Sequence, residues 1–146
     1  MIRPNRGDSQ VSLSDYRALS EFRYRVRQFL RITERTARQA RVHPQQHRLM
    51  LAIKGMPAGM AASISNLAER LQLESHSTVE LVNRAAARGL VARATDRHDR
   101  RVVLVRVTPR GERLLAHLSR RNRQELRTAA PALVRALRAI TRERSD

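Results

Sequence analysis

The stretch SISNLAERLQLESHSTVELVNRAAARGLVARATDRHDRRVVLVRV, residues Ser63–Val107, decides the fold. It reads as helix, turn, helix, then a two-stranded hairpin with Asp96-Arg97-His98-Asp99-Arg100-Arg101 at its tip. Ser63 is a side-chain cap for the first helix, whose apolar positions Ile64, Leu67, Ala68 and Leu71 recur at three and four on one face. Leu73-Glu74-Ser75 forms the turn, with Ser75 as a second cap. The second helix buries Thr78, Leu81, Val82, Ala85 and Ala86, and turns Ser75, His76, Ser77, Glu80, Asn83 and Arg84 outward. Gly89 stands where a left-handed helix end needs it. Two short packed helices, the second with a polar outer face, suit insertion into a DNA major groove. The basic hairpin then becomes a wing, and the expected fold is a mainly α (α+β) winged helix-turn-helix.

Around this centre the chain has 146 residues, enough for one domain with a helical extension and a sizeable core. Thirty Lys and Arg against thirteen Asp and Glu give a formal charge of +17, and every cation but Lys54 is arginine. The planar guanidinium fork suits phosphate oxygens and guanine edges, so a polyanion, by default nucleic acid, is the expected partner. A proteome whose codons favour arginine would account for part of the excess. Without cysteine, neither a disulfide framework nor a thiol sensor can be built. No apolar run reaches the length of a membrane span, and the N-terminus lacks the apolar core of a signal peptide, so a cytoplasmic location is expected.

Upstream, residues 1–11 are polar, contain Pro4 and Gly7, and read as a flexible arm. Arg3 and Arg6 there either touch DNA backbone or belong to a frayed end, the plainer reading. A helix is expected from Ser12 to about Arg41, with Ser14 and Asp15 near its start. Leu19, Phe22, Val26, Phe29, Thr33, Ala37 and Ala40 form one stripe along it. So long a stripe needs a partner surface, from the C-terminal helices or a second copy. Pro44 opens the next helix at its first position, with His43 before it, and Gly55 ends it. Its run Leu49-Met50-Leu51-Ala52-Ile53 is apolar nearly all round, which predicts burial between layers. Met56 to Ala62 reads as a loop with room for a very short strand. Downstream, Thr108-Pro109 starts a helix carrying Leu115, Leu118, Asn122 and Leu126 on one face. Pro131 is expected to open a separate last helix with the stripe Leu133, Val134, Leu137 and Ile140. The expected layout is a helical dimerisation region, 12–41 and 109–146, around a winged lobe, 44–107.

At this point the chain resembles the MarR (multiple antibiotic resistance regulator) family over nearly its whole length. The resemblance rests on the Gln-containing helix Pro44–Ile53 and on Leu67-Ala68-Glu69-Arg70-Leu71 through Val82-Asn83-Arg84 to Arg88-Gly89-Leu90-Val91. It rests most on Asp96–Arg101 followed, after five residues, by Val107-Thr108-Pro109-Arg110-Gly111. That last pair is similar to the family's Asp-x-Arg-Asp-x-Arg wing and Leu-Thr-x-x-Gly closure. Two positions depart: His98 replaces the first wing arginine and Val107 the usual leucine. The resemblance implies that Asp99 holds Arg101 for minor-groove insertion, with Arg97 and Arg100 beside it. It also implies that Ser75, His76 and Ser77 meet bases and phosphates, and that peroxide sensing through cysteine is excluded.

Glu80 either accepts from cytosine N4 or pairs with Arg84 four residues on. His43 and His47 have the spacing of a metal pair on a helix, but no acidic residue follows in a zinc-protease pattern and His43 stands at a cap, which favours structural roles. No metal and no cofactor are called for, and no nucleophile with its base or Gly-rich phosphate loop indicates an enzyme. The expected DNA contacts are therefore Ser75, His76, Ser77, Glu80, Arg84, Arg97, Asp99, Arg100 and Arg101. The resemblance further implies a homodimeric transcriptional repressor on a pseudo-palindromic duplex operator, released by a small aromatic or phenolic ligand. Arg23, Tyr24 and His47, on the first two helices, are the candidate pocket residues, with packing as their plainer reading. The rival readings are a sequence-nonspecific nucleoid protein, for which +17 would be the main functional property, and a protein-binding adaptor on the same fold.

Overall fold

The computed structural model describes residues 10–142. The arm expected over 1–11, with Arg3 and Arg6, therefore falls outside the described residues up to Ser9, as does the charged end from residue 143. In chain order the elements are α1 (Leu13–Gln39), α2 (Pro44–Lys54), α3 (Ile64–Leu71), α4 (Ser75–Ala87), β1 (Val91–Thr95), β2 (Val103–Val107) and α5 (Pro109–Thr141).

Each helix starts on local chemistry. Ser12 caps α1 reciprocally with Asp15: Oγ accepts from the Asp15 N–H at 3.2 Å, and the Asp15 carboxylate accepts from the Ser12 N–H at 2.8 Å. The start thus lies at Ser12, two residues before Ser14. His43 Nδ1 accepts from Gln45 N–H at 3.1 Å and Pro44 opens α2, so His43 is a cap, as its position suggested. Ser63 caps α3 through Asn66 N–H at 3.2 Å. For α4 the expectation shifts by one residue. The cap is Glu74, without a side-chain bond, and Ser75 is already helical. The Glu74 carbonyl instead takes both the N–H and the hydroxyl of Thr78, each at 3.0 Å, and this anchors the first turn.

Three helices end in the same closure, in which a left-handed residue lets the next N–H reach back five residues. Val42 N–H meets Ala37 O, Leu73 N–H meets Ala68 O, and Leu90 N–H meets Ala85 O, each at 3.0 Å. The left-handed residues are Arg41, Gln72 and Gly89. Only the last carries the glycine that makes such an end visible in a sequence.

The described residues form two compact units. Residues 33–123 are one, and residues 10–32 with 124–142 the other. In the first, Leu49, Met50, Leu67, Val82, Leu90 and Leu118 are fully buried between α2, α3, α4, the sheet and the first half of α5. Strands β1 and β2 pair antiparallel with Val91 opposite Val107 and Thr95 opposite Val103. The loop before α3 adds a short third edge. Ser63 bridges Leu104, and Val105 N–H meets Ala62 O at 2.9 Å. Residues 56–62 hold no strand themselves: the bridge falls at Ser63, and Ala62 contributes its carbonyl.

Two expectations are corrected. First, α2 is not buried all round, because Leu51 is half exposed while Leu49, Met50 and Ile53 are buried. Second, α5 is one helix that runs through Pro131. An interior proline removes one backbone bond and crowds the carbonyl four residues back. Here Leu126, Arg127, Ala129, Ala130, Ala132 and Leu133 are strong helix formers on both sides, so the helix resumes at once.

In the other unit Phe22, Val26 and Phe29 of α1 are half buried and Ala136 of α5 is buried. Leu19, Leu30, Val134 and Leu137 of the same unit keep 44–49% of their surface exposed. These apolar side chains are thus about half exposed within a single chain.

Candidate nucleic-acid interface

α4 buries Thr78, Leu81, Val82 and Ala85 and turns the opposite face outward. Ser75, His76, Glu80, Asn83 and Arg84 are exposed there, and Ser77 is half buried at the edge. Arg84 folds back along its own helix, with Nη2 at 3.8 Å from a Glu80 carboxylate oxygen and Nε donating to the Glu80 carbonyl at 3.4 Å. Of the two readings of Glu80, the ion pair is the one the geometry contains. Both side chains are more than two-thirds or nearly two-thirds exposed, so the pair is easily exchanged for a phosphate or a base edge.

Two side chains tie α4 to its neighbours. Arg88, just past its end, donates to Gln46 Oε1 at 3.1 Å and to the Arg41 carbonyl at 2.7 Å. Arg93, in the middle of β1, donates to Asn83 Oδ1. Arg48 on α2 likewise holds the Leu71 carbonyl at the end of α3, at 3.2 Å. Arg48 and Arg88 fall within stretches that carry the family resemblance, but nothing in the sequence assigns any of the three a structural partner.

The wing tip is ordered by its aspartates. Asp96 Oδ1 accepts from the His98 N–H at 2.8 Å, and Asp99 O accepts from the Val102 N–H at 3.0 Å. Asp99 Oδ1 accepts from both the backbone N–H and the Nε of Arg101, at 3.0 and 3.1 Å, and Oδ2 lies 3.4 Å from Nη2. The side-chain bond from Arg101, with its backbone N–H second, holds the Asp99 carboxyl below its ordinary range. Asp99 is therefore an anion that orients the guanidinium, while the Arg101 side chain remains 91% exposed. Arg97, His98 and Arg100 are exposed around it. The outcome is a cation presented in a fixed direction, with its entropy of ordering met before any ligand arrives.

The root of the wing is welded to α5 by Thr108. Its N–H donates to Leu90 O at 3.0 Å, its hydroxyl to Gly89 O at 2.5 Å, and the same oxygen accepts from Gly111 N–H at 3.1 Å. Gly111 is required by space, since a Cβ there would stand 2.1 Å from Leu90 O.

The three pocket candidates are divided between the units. Arg23 and Tyr24 are exposed on the α1 segment of one unit. His47 is buried in the other, its Nε2 without a hydrogen-bond partner and its imidazole pushed toward the neutral form by burial. Among the described residues no cluster of three metal-ligating side chains occurs, and no helix is long and apolar enough to cross a membrane.

A helix with a polar outer face, a two-stranded wing and an oriented arginine at its tip define a winged helix-turn-helix module. The MarR family model matches residues 42–102, from the start of α2 through the wing tip. The fold agrees. AbsC, a MarR family transcriptional regulator from Streptomyces coelicolor, superposes with a TM-score of 0.70 at 14% identity, over 82% of this chain and 80% of that one. A MarR family protein from Bacillus stearothermophilus gives 0.63 at 23% identity, over 71% and 70%. A mutant of S. aureus MepR, bound to an oligodeoxyribonucleotide, gives 0.60 at 16% identity, over 75% and 79%. A comparison with curated protein sequences finds no match. The chain is thus similar to the MarR family over residues 42–102, and it shares the fold of MarR family structures over most of its length.

Proposed function

We propose that the chain is a homodimeric, sequence-specific transcriptional regulator that binds a pseudo-palindromic duplex operator and acts as a repressor. The observation that carries this reading is the Asp99–Arg101 clamp, which holds an exposed guanidinium at the wing tip beside an exposed polar reading helix. In this reading Ser75, His76, Ser77, Glu80 and Arg84 face the major groove. Arg97, Arg100 and Arg101 contact the flanking backbone and minor groove, with Asp99 positioning Arg101. Residues 44–107 form the DNA-binding lobe, and 12–41 with 109–146 the dimerisation region. Support for the dimer comes from the open apolar stripes that include Leu19, Leu30, Val134 and Leu137.

Release by a small aromatic or phenolic ligand belongs to the same proposal. The buried, unpartnered Nε2 of His47 is the feature that supports a polar ligand group beside it. No catalytic step is assigned to the chain. The test is selection of bound duplexes from a random library. An inverted repeat with half-sites about 10 base pairs apart, or a multiple of the helical turn, is expected. Direct repeats only, or no consensus at all, would overturn the reading.

A further inference from the structure

Asn83 lies on the outward stripe of α4 that steps by three and four from His76 through Glu80 to Asn83. Its partner Arg93 comes from the wing, at the centre of β1, where it stands opposite Val105 of β2. Arginine has donors only, so the atom it meets must be the amide oxygen, which fixes the orientation of the Asn83 carboxamide. Nδ2, with its two hydrogens, is left on the other side without a partner among the described residues.

That orientation has a chemical consequence. An asparagine free at both ends reads adenine, its oxygen accepting from N6 and its nitrogen donating to N7. Here one lone pair of the oxygen is held by a guanidinium, whose positive charge disfavours the approach of the adenine amino group to the other. Guanine presents two acceptors, N7 and O6, at the same edge. The geometry points to Arg93 as a positioning residue that turns Asn83 into a donor-only reader, so that each half-site carries guanine, and not adenine, beneath Asn83. This rests on the assignment of α4 as the reading helix, and it adds a specificity determinant outside that helix.

The experiment compares the full-length wild type with Asn83→Ala, Arg93→Ala and Arg93→Lys. Each variant is first checked for the wild-type urea midpoint, then used in selection from a random duplex library. Competition follows with duplexes that carry guanine or adenine at the affected position. Wild type should favour guanine roughly fivefold or more, the lower end of one specific base contact. Asn83→Ala should lose preference at one symmetric pair of positions and keep the rest of the site. Arg93→Ala should shift that same pair toward adenine, because the freed amide can turn. Arg93→Lys, which still donates to the oxygen, should restore guanine. A merely structural role for Arg93 would lower affinity for every duplex alike.

Adenine at that position in the wild-type site overturns the inference, as does an Arg93→Ala site identical to wild type. An Asn83→Ala variant that loses affinity without changing base preference also overturns it, because Asn83 then meets backbone only. These results leave the operator-binding reading standing. A wild type that enriches no site removes both.

Discussion

Replacing Gly111 by alanine tests the junction between the wing and α5. The added methyl would lie 2.1 Å from Leu90 O, 2.8 Å from Val107 Cγ1 and 3.0 Å from the Leu90 carbonyl carbon. Ordinary contact begins near about 3.5 Å, so the backbone on one side must retreat by roughly an ångström. The obstruction is main chain, and no rotamer relieves it. Overpacking of this kind costs about 1–3 kcal/mol. The retreat also stretches the Thr108 N–H bond to the same carbonyl, 3.0 Å long, for about another 1 kcal/mol. Alanine returns about 1 kcal/mol as a better helix former than glycine. The net loss should be about 1–3 kcal/mol, a sizeable share of a total of about 5–15 kcal/mol. Urea unfolding followed by far-ultraviolet circular dichroism, at one fixed protein concentration, reads it as a midpoint lowered by about 0.5–1.5 M with unchanged slope. Gly59→Ala is the comparison, because its Cβ would meet nothing within 4 Å and only the positive φ of +80° opposes it, at about 1 kcal/mol. A Gly111→Ala midpoint at or above that of Gly59→Ala would refute the packing argument.

At the wing, Arg101→Ala should weaken operator binding by about 1–3 kcal/mol and lower the slope of log affinity against log salt by about one. Asp99→Ala should act in the same direction but less, since it only orients Arg101; titration at several salt concentrations checks both. Leu137→Asp places a charge in the proposed dimer face, where Leu137 is half exposed in the single chain, and sedimentation should find monomer or unfolded chain in place of dimer. For His47, burial lowers the folded value below 6.5, so the unfolded chain takes up the proton first as pH falls. Its contribution is complete above about 6.5 and declines below it, by at most about 1.4 kcal/mol per pH unit. Urea midpoints at pH 7.5 and 5.5 should therefore drop less in His47→Leu than in wild type.

What could be read from the residues was local chemistry. The hairpin tip Asp96–Arg101, the left-handed Gly89, the Pro44 and Thr108-Pro109 starts and the three-four spacing of α3 and α4 each depend on neighbours in sequence. They emerge in the fold where that chemistry put them. What could not be read depends on distant partners. Arg41 and Gln72 are exposed and take left-handed conformations that their side chains do not advertise, each beside a helix-closing backbone bond. Pro131 looked like a boundary because one residue weighs heavily in a local reading, whereas the flanking helix formers outweigh it. Of the many arginines, Arg48, Arg88 and Arg93 are structural ties, yet nothing in their immediate sequence separates them from arginines that face solvent. The long-range ion pair of Lys54 with Glu112, 2.7 Å, was hidden for the same reason.

The sheet has two unequal borders. Along β2 the border is sealed by Ala62 and Ser63, whereas β1 ends the sheet on its other side with no further strand among the described residues. An open border of this kind is a template on which a strand of another molecule can assemble. Its guard is electrostatic: Arg93 stands at the middle of β1 and the basic tip lies just beyond, so two such borders repel each other. That repulsion has a reach of only about 10 Å at 0.1 M salt and about 3 Å at 1 M. The colloidal behaviour of the free protein therefore runs opposite to the usual remedy for nucleic-acid contamination. Brine strong enough to strip a polyanion from the wing also disarms the charges that keep one molecule's wing from adding to the next.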